Sequence, residues 1–219
     1  LQEAASGRLP RKLQVFRPQC QSILTAAAGK LGLKVEATRR TEALKRELNQ
    51  RASRYQGDYH PTKLEQPPPQ ALPDYLWGEK WRFATFPAGD LVATFGDRPI
   101  PIQDLPASLF PINLGIASTI EVPGVVIYGG RHSLQLARWL QETKPVAINF
   151  IPTEVGFSGG LVLEAGLIER WILVTFEDQE VATAGQTFEK RKQASQGLHF
   201  LVVQPDDSGM TTTGFWLLK

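Results

Sequence analysis

Apolar and polar positions change period several times along the chain, and each change marks an element. Leu13-Gln14-Val15-Phe16 reads as a short strand. Pro18 follows and suits the first turn of a helix, where its missing N–H costs nothing. Ile23, Leu24, Ala27 and Leu31 recur at helical spacing, and Gly32 can end that helix. Residues 33–38 alternate as a strand. Thr41 is placed to cap a second helix that carries Leu44, Leu48, Ala52 and Tyr55 on one face. Lys45, Arg46 and Arg54 fall away from that face, toward water or a ligand.

Residues 61–73, PTKLEQPPPQALP, break the pattern, because consecutive prolines favour an extended conformation over helix or ladder. Residues 81–86 read as a strand, and 87–124, rich in Pro and Gly, as loops, short strands and turns. A strand at 125–128, the turn Gly129-Gly130, a helix over 133–141 and a strand at 146–151 follow. Residues 161–164 and 171–176 form a strand pair turning through 166–169. A charged helix over 183–195 stops at Gly197. The chain closes on two apolar runs, Gly197-Leu198-His199-Phe200-Leu201 continuing to Gln204, and Gly214-Phe215-Trp216-Leu217-Leu218, joined by a polar turn with Asp206 and Asp207.

This alternation predicts an α/β fold with mixed sheets. The order strand, arginine, helix, strand occurs twice, around Arg17 and around Arg131, which allows two related α/β halves or simply two copies of a common unit. The expected organisation is a basic N-terminal part over 1–60 with a mobile start over 1–12, a proline-rich linker over 61–73, and a C-terminal α/β domain over 74–219.

Composition changes this picture little and charge changes it more. With 42% hydrophobic and 21% charged residues, the 219-residue chain can bury a real core. No run approaches the ~20 apolar residues of a membrane span. Cys20 stands alone, which fits a reducing compartment. The chain opens on Leu1 with no signal-peptide pattern and is expected to be processed or truncated. The net charge of +2 conceals an asymmetry: residues 1–55 hold twelve Lys and Arg against four acids, a net +8, while the remainder carries −6. Such a footprint suits a polyanion, or equally a solvated helical face with a flexible start.

The chemistry-bearing residues are few. His60, His132 and His199 lie far apart with no metal-binding spacing, and His199 within an apolar strand reads as a core histidine. No GxSxG elbow or GxxxxGK[ST] phosphate loop is present. Asp206 and Asp207 read as turn residues, with a nuclease metal site as the alternative. Gly129-Gly130-Arg131-His132-Ser133 is either a phosphate cradle or a β–α turn capped by Ser133. Arg17 stands similarly before the first helix, and Arg39 and Arg40 at the next strand end extend a phosphate-lining row. Trp77 and Trp81 interleave with Lys80 and Arg82, as single-stranded RNA binding requires: rings stack on bases while cations meet phosphates. Trp81, alternating with Phe83, leans to the core, as do Trp139, Trp171 and Trp216.

Five ordered strings are similar to one family. Val15-Phe16-Arg17 with Gln19 and Gln21 resembles a Phe-Phe-Arg-x-Gln-x-Gln pattern, and Arg39-Arg40 a basic pair after the next strand. Leu72-Pro73, Leu76, Gly78-Glu79-Lys80-Trp81 and Phe83 resemble a central Leu-Pro-x-x-Leu-x-Gly-Glu-x-Trp-x-Phe motif. Pro123-Gly124, Arg131, Leu136-Ala137 and Trp139 form a further block, and the two terminal strings complete the set. Together they resemble the Tab-type RNA-binding proteins of cyanobacteria and plastids. The chain departs from that pattern in lacking a further N-terminal segment with a Trp-Glu-rich strand, expected to complete a sheet, and in a shorter acidic run after Gln204.

The resemblance implies a non-enzymatic protein without a cofactor that binds A/U-rich single-stranded RNA. It implies action in photosystem I expression and biogenesis, and in some plants photosystem II, in a cyanobacterial cytoplasm or the chloroplast stroma. The RNA-contacting set expected is Arg17, Gln19, Arg39, Arg40, Trp77, Lys80 and Arg131. Two rival readings stand beside it: an assembly factor docking photosystem or translation-related proteins, and a metal-dependent nuclease using Glu164, Asp206 and Asp207.

Overall fold

The computed structural model describes residues 9–52, 54, 60–76, 78–153 and 158–219. The chain divides into two compact units, one of residues 1–67 with 166–169 and one of residues 68–165 with 170–219. Most of the expected mobile start, together with Tyr55 and Trp77, lies outside the described residues.

The first unit is a single βαβ turn of chain followed by a helix. β1 (Lys12–Val15) leads through α1 (Pro18–Gly29) to β2 (Lys34–Ala37), and α2 (Glu42–Ala52) follows. β1 and β2 are parallel, with Val15 opposite Ala37. Pro18 sits in the first helical turn, as its fixed φ favours, and Gly32 at φ +66 allows the chain to reverse after α1. Few of this unit's described residues are buried. The predicted apolar stripe of α1 does not form a core: Ile23 is 71% exposed, Ala27 is exposed, and Ala28 alone is buried. α2 buries no residue, and Leu44 is exposed.

The second unit holds two sheets. Its strands and helices are β3 (Gln70–Ala71), β4 (Lys80–Pro87), α3 (Ala88–Gly96), β5 (Ile102–Asp104), β6 (Glu121–Tyr128), α4 (Ser133–Thr143), β7 (Pro145–Pro152), β8 (Gly159–Ala165), β9 (Glu169–Phe176), α5 (Gln179–Ala194), β10 (His199–Gln204) and β11 (Gly214–Leu218). A mixed five-stranded sheet runs in the order β4-β6-β10-β11-β5, and a four-stranded sheet in the order β3-β9-β8-β7.

The five-stranded sheet is covered on both faces, which is why its inner strands read as continuous apolar runs. Val125, Ile127, Leu201, Val203, Trp216 and Leu218 face a core shared with the second sheet, α4 and α5. The alternate residues Val126, Tyr128, Phe200, Val202, Phe215 and Leu217 face α3, whose Ala88, Leu91 and Phe95 close that side. Close approach fixes two glycines. A Cβ on Gly124 would lie 2.2 Å from the Phe200 ring, and one on Gly214 would lie 2.5 Å from the Trp216 ring. Pro123 is tolerated inside β6 because pairing with β10 begins only at Gly124, so no ladder bond is demanded of it there.

β7 borders its sheet, and its outer edge is closed by side chains. The Ile148 N–H donates to His199 Nε2 at 2.8 Å, and the Phe150 N–H donates to Glu189 Oε1 at 2.8 Å. Lys192 Nζ donates to the Ile148 carbonyl at 2.6 Å. His199 Nδ1 lies 2.8 Å from the Gly197 carbonyl, so Nδ1 carries the proton and Nε2 accepts. Burial first, and the Lys192 cation second, hold the His199 pKa down to about 3, which keeps the ring neutral. Burial also lowers the Lys192 pKa, against the opposing pull of Glu189 and Glu164.

Two expectations are revised. Residues 88–96, read as loop and turn, form α3: its apolar positions 88, 91 and 95 have helical spacing, but flanking Pro87 and Gly96 mask it. The repeated strand–arginine–helix–strand order does not repeat the pairing. β2 joins β1 in one sheet, whereas α4 carries the chain from β6 in the five-stranded sheet to β7 in the four-stranded one.

Candidate nucleic-acid interface

Within the first unit the parallel register decides what comes together. Because Val15 stands opposite Ala37, Arg17 and Arg39 each lie two residues beyond the paired ends of their strands. The Thr38 N–H donates to the Val15 carbonyl at 2.9 Å, which holds these ends side by side. Both arginines therefore stand at the carboxyl edge of a parallel pair, where α/β folds place ligands.

Neither guanidinium is idle. Arg17 Nη2 donates to the Pro61 carbonyl, and its Cζ lies 5.6 Å from the Phe16 ring centroid. Of the five N–H donors of a guanidinium, that single carbonyl leaves others for a ligand. Gln19 is exposed in the first turn of α1, with Nε2 3.5 Å from Glu65 Oε1. Arg39 is half-buried, and its Nε donates to the Leu167 carbonyl at 2.7 Å. Arg40 is exposed, and its backbone N–H donates to Thr38 Oγ1 at 3.1 Å.

Thr41 adds what the sequence did not announce. It occupies the expected position before α2, and its carbonyl accepts the Lys45 N–H at 2.9 Å. Its side chain caps nothing: Thr41 is 7% exposed and its Oγ1 has no hydrogen-bond partner. The hydroxyl is buried without a partner at the start of α2, directly after Arg39 and Arg40 in sequence. Lys45, expected at the solvent face, is 28% exposed and lies 3.6 Å from Glu42.

Within the second unit the expected cations occupy one end of the β4–β6 pair. Lys80 is exposed opposite Tyr128, and Arg131 is exposed with its Nε 3.1 Å from His132 Nε2. The turn between them is a closed one. The Gly129 N–H donates to the Gln204 carbonyl and the Gly130 N–H to the Pro205 carbonyl, both at 2.9 Å. The Glu79 carboxylate lies against Gly130, where a Cβ would come within 2.1 Å of Oε1. With the two glycine N–H groups given to carbonyls and a carboxylate beside Gly130, the geometry favours the turn reading of Gly129–Ser133 over the cradle. Ser133 is not its cap either: its Oγ accepts from Thr213 Oγ1 at 3.3 Å. Trp81 is half-buried, with its ring centroid 5.2 Å from Phe83 and 5.7 Å from Phe176.

Of the nuclease carboxylates, Glu164 and Asp206 are engaged in separate local contacts. Glu164 is buried and accepts from Asn149 Nδ2 at 3.0 Å. Asp206 accepts the Ser208 N–H at 3.0 Å, and hydrogen bonds from Ser208 hold its pKa below the usual carboxylate value. Among the described residues no three His, Cys, Asp or Glu converge to hold a metal ion, and no helix is long and apolar enough to cross a membrane.

Comparison with known proteins places both units. Residues 59–219 match the family described as RNA-binding protein Tab2/Atab2, C-terminal domain, and residues 1–51 match RNA-binding protein Tab2/Atab2 N terminal. The chain is 31% identical over 228 residues to the chloroplastic protein TAB2 homolog of Zea mays, covering 99% of this chain and 57% of the relative. It is 29% identical over 225 residues to the chloroplastic protein TAB2 homolog of Arabidopsis thaliana, covering 96% of this chain and 58% of the relative. The chain thus spans somewhat over half the length of these relatives. No solved structure matches significantly.

Proposed function

The chain belongs to the Tab2/Atab2 family of RNA-binding proteins, and we propose that it captures single-stranded RNA through the strand ends of its first unit. The observation that carries this reading is the register bringing Arg17 and Arg39 to one edge, with Arg40 and the unpaired Thr41 hydroxyl at the start of α2. Phosphate oxygens meet the guanidinium groups and the first-turn N–H groups, with Gln19 beside them. Lys80 and Arg131 contact backbone phosphates from the second unit, and Trp77 stacks on a base. Target messages are A/U-rich and belong to photosystem I expression and biogenesis. The chloroplastic relatives support a place in the stroma of a plastid or in the corresponding cyanobacterial cytoplasm.

Fluorescence anisotropy of an A/U-rich single strand, a G/C-rich strand and a duplex across a salt series tests this. The expected result is binding of the A/U-rich strand whose log K falls with log salt by about 0.7 per neutralised phosphate. No binding at low salt overturns the reading. The second reading is that the first unit docks a protein partner. A pull-down with and without ribonuclease separates the two, since partners that survive the nuclease support docking.

A further inference from the structure

The two sheets of the second unit treat their borders differently. β7 has its outward N–H and C=O groups met by His199, Glu189 and Lys192. β4 also borders its sheet, and hydrogen-bond direction shows which of its residues face outward. The Ala88 N–H donates to the Ile120 carbonyl at 2.8 Å, and the Gly129 N–H turns from β6 toward β10. With Lys80 opposite Tyr128 and Phe86 opposite Val122, the even-numbered residues of β4 bond to β6. The backbone groups of Trp81, Phe83 and Thr85 therefore point away from the sheet, and among the described residues no strand pairs with them. Pro87 ends the row without a donor.

This edge faces a groove of about 650 Å³, within the ~300–1,000 Å³ of typical ligand sites. One wall is β4 from Arg82 to Phe86, and the other is the α5 face bearing Thr183, Thr187 and Arg191. Arg82 gives its Nε to the Tyr128 hydroxyl at 2.6 Å, which fixes the guanidinium and leaves its terminal nitrogens for a ligand. Arg191 is held by Glu121 at 2.9 Å. The Thr183 and Thr187 hydroxyls donate along their own helix, leaving lone pairs on the groove side to accept from ribose hydroxyls.

We propose that this groove seats unpaired bases of single-stranded RNA, their Watson–Crick edges hydrogen-bonded to the outward backbone of Phe83 and Thr85. The inference rests on the RNA-binding reading above and assigns it a base-reading surface. In an extended strand the N–H and C=O of one residue face the same way and offer a donor beside an acceptor. The pairing edge of every nucleobase offers the complementary doublet, and in RNA recognition unstacked bases are read on this edge. A base already paired in a duplex has none to offer, so the contact selects single strands. Pro87 denies an added peptide strand a donor at the end of the row. The threonine hydroxyls suit ribose, and the apolar floor of Phe83, Pro123 and Phe188 suits a base, while Glu180 at the α5 wall keeps phosphates to the groove's outer side.

The test is amide hydrogen exchange by NMR on the whole chain, with an A/U-rich oligoribonucleotide and with the same strand annealed to its complement. Protection of the Phe83 and Thr85 amides by the single strand alone is the expected result. Thr85→Pro removes one outward donor at a position equivalent to native Pro87, and Ala184→Phe fills the groove from the α5 side. Each should weaken single-strand binding about tenfold, the scale of one base-edge hydrogen-bonded pair, with an unchanged thermal melt. RNA binding with those amides unprotected and both variants at full affinity overturns this proposal and leaves the strand-end site standing. Absence of any RNA binding overturns both. Protection by an added extended peptide and not by RNA assigns the edge to strand addition and overturns the RNA occupant.

Discussion

The chain contains the sequence strand–arginine–helix–strand twice, and the two copies reach opposite ends. In the first, β1–α1–β2, the strands lie parallel and adjacent, so Arg17 and Arg39 meet at one edge beside an unpaired Thr41 hydroxyl. In the second, β6–α4–β7, the strands belong to different sheets, and the turn at Arg131 is filled by Glu79 and by carbonyls from the end of β10. A glycine-rich turn before a helix is an anion site only when its N–H groups remain unspent. The first copy has few buried residues and a Thr41 hydroxyl without a partner beside it. The second is packed into a double core, and the N–H groups of Gly129 and Gly130 are spent on carbonyls.

The largest expected difference between the regions is in stability. Phe200 is fully buried beside Phe86, Phe95 and Phe215 and covers Gly124. Phe200→Ala should cost about 3–5 kcal/mol in urea unfolding. Ile23→Ala on α1 should stay within about 0.5 kcal/mol, as surface changes do. Equal costs for the two would mean that α1 is packed in solution and that the contrast is unreal.

Next comes acid sensitivity, which should belong to the second unit. His199 has a folded pKa of about 3 against an ordinary 6.5. Between these values the unfolded chain binds a proton that the folded chain refuses. Its contribution is therefore fully present above 6.5 and falls by about 1.4 kcal/mol per pH unit as the pH drops through the window. His199→Gln can still accept the Ile148 N–H, and it should flatten the stability profile between pH 6.5 and 5 by about one proton. A profile as steep in the variant as in the parent would remove His199 as the cause.

Legibility in the sequence follows the same division. The inner strands were plain because Leu198–Val203 and Phe215–Leu218 are buried on both faces, and burial writes itself as an apolar run. α3 was hidden because a nine-residue helix between Pro87 and Asp97 has too few turns to establish its period. The most family-specific strings, Gly-Leu-His-Phe-Leu and Gly-Phe-Trp-Leu-Leu, are core: His199 ties β10 to the edge of β7, and Trp216 packs against Gly214. They report the fold and touch no ligand face. Arg17 and Arg39 stood out as cations, but their adjacency depends on β1–β2 register, a long-range fact with no local signature. Thr41 read as an ordinary cap, and only the three-dimensional environment leaves its hydroxyl without a partner. The outward backbone of β4 has no side-chain signature at all.

A smaller effect is expected at the strand-end cations. Arg39→Ala with Arg40→Ala should reduce the salt slope of single-stranded RNA binding by up to about 1.4, at ~0.7 for each phosphate no longer neutralised. Affinity should fall most at low salt, where counterion release contributes most. An unchanged slope in an otherwise folded variant would take both arginines out of the interface.

The smallest effect is expected at Arg131, and it discriminates most finely between the two copies. If that turn were a phosphate cradle like those at helix starts, Arg131→Ala would remove a charge held against the RNA and also expose backbone donors aimed at it. The Gly129 and Gly130 donors are instead bound to the Gln204 and Pro205 carbonyls, and Glu79 supplies the local anion. Arg131 is left as one exposed cation, so its removal should cost at most a single phosphate interaction, about 0.7 in slope. Glu79→Gln tests the other half of the argument, because it withdraws the competing carboxylate charge and keeps its shape. If the Gly130 turn then gains RNA affinity that Arg131→Ala abolishes, the second copy is a masked anion site and the two regions differ by one carboxylate. If neither change moves the slope, the difference between the copies lies in the sheet pairing itself, which no single substitution reverses.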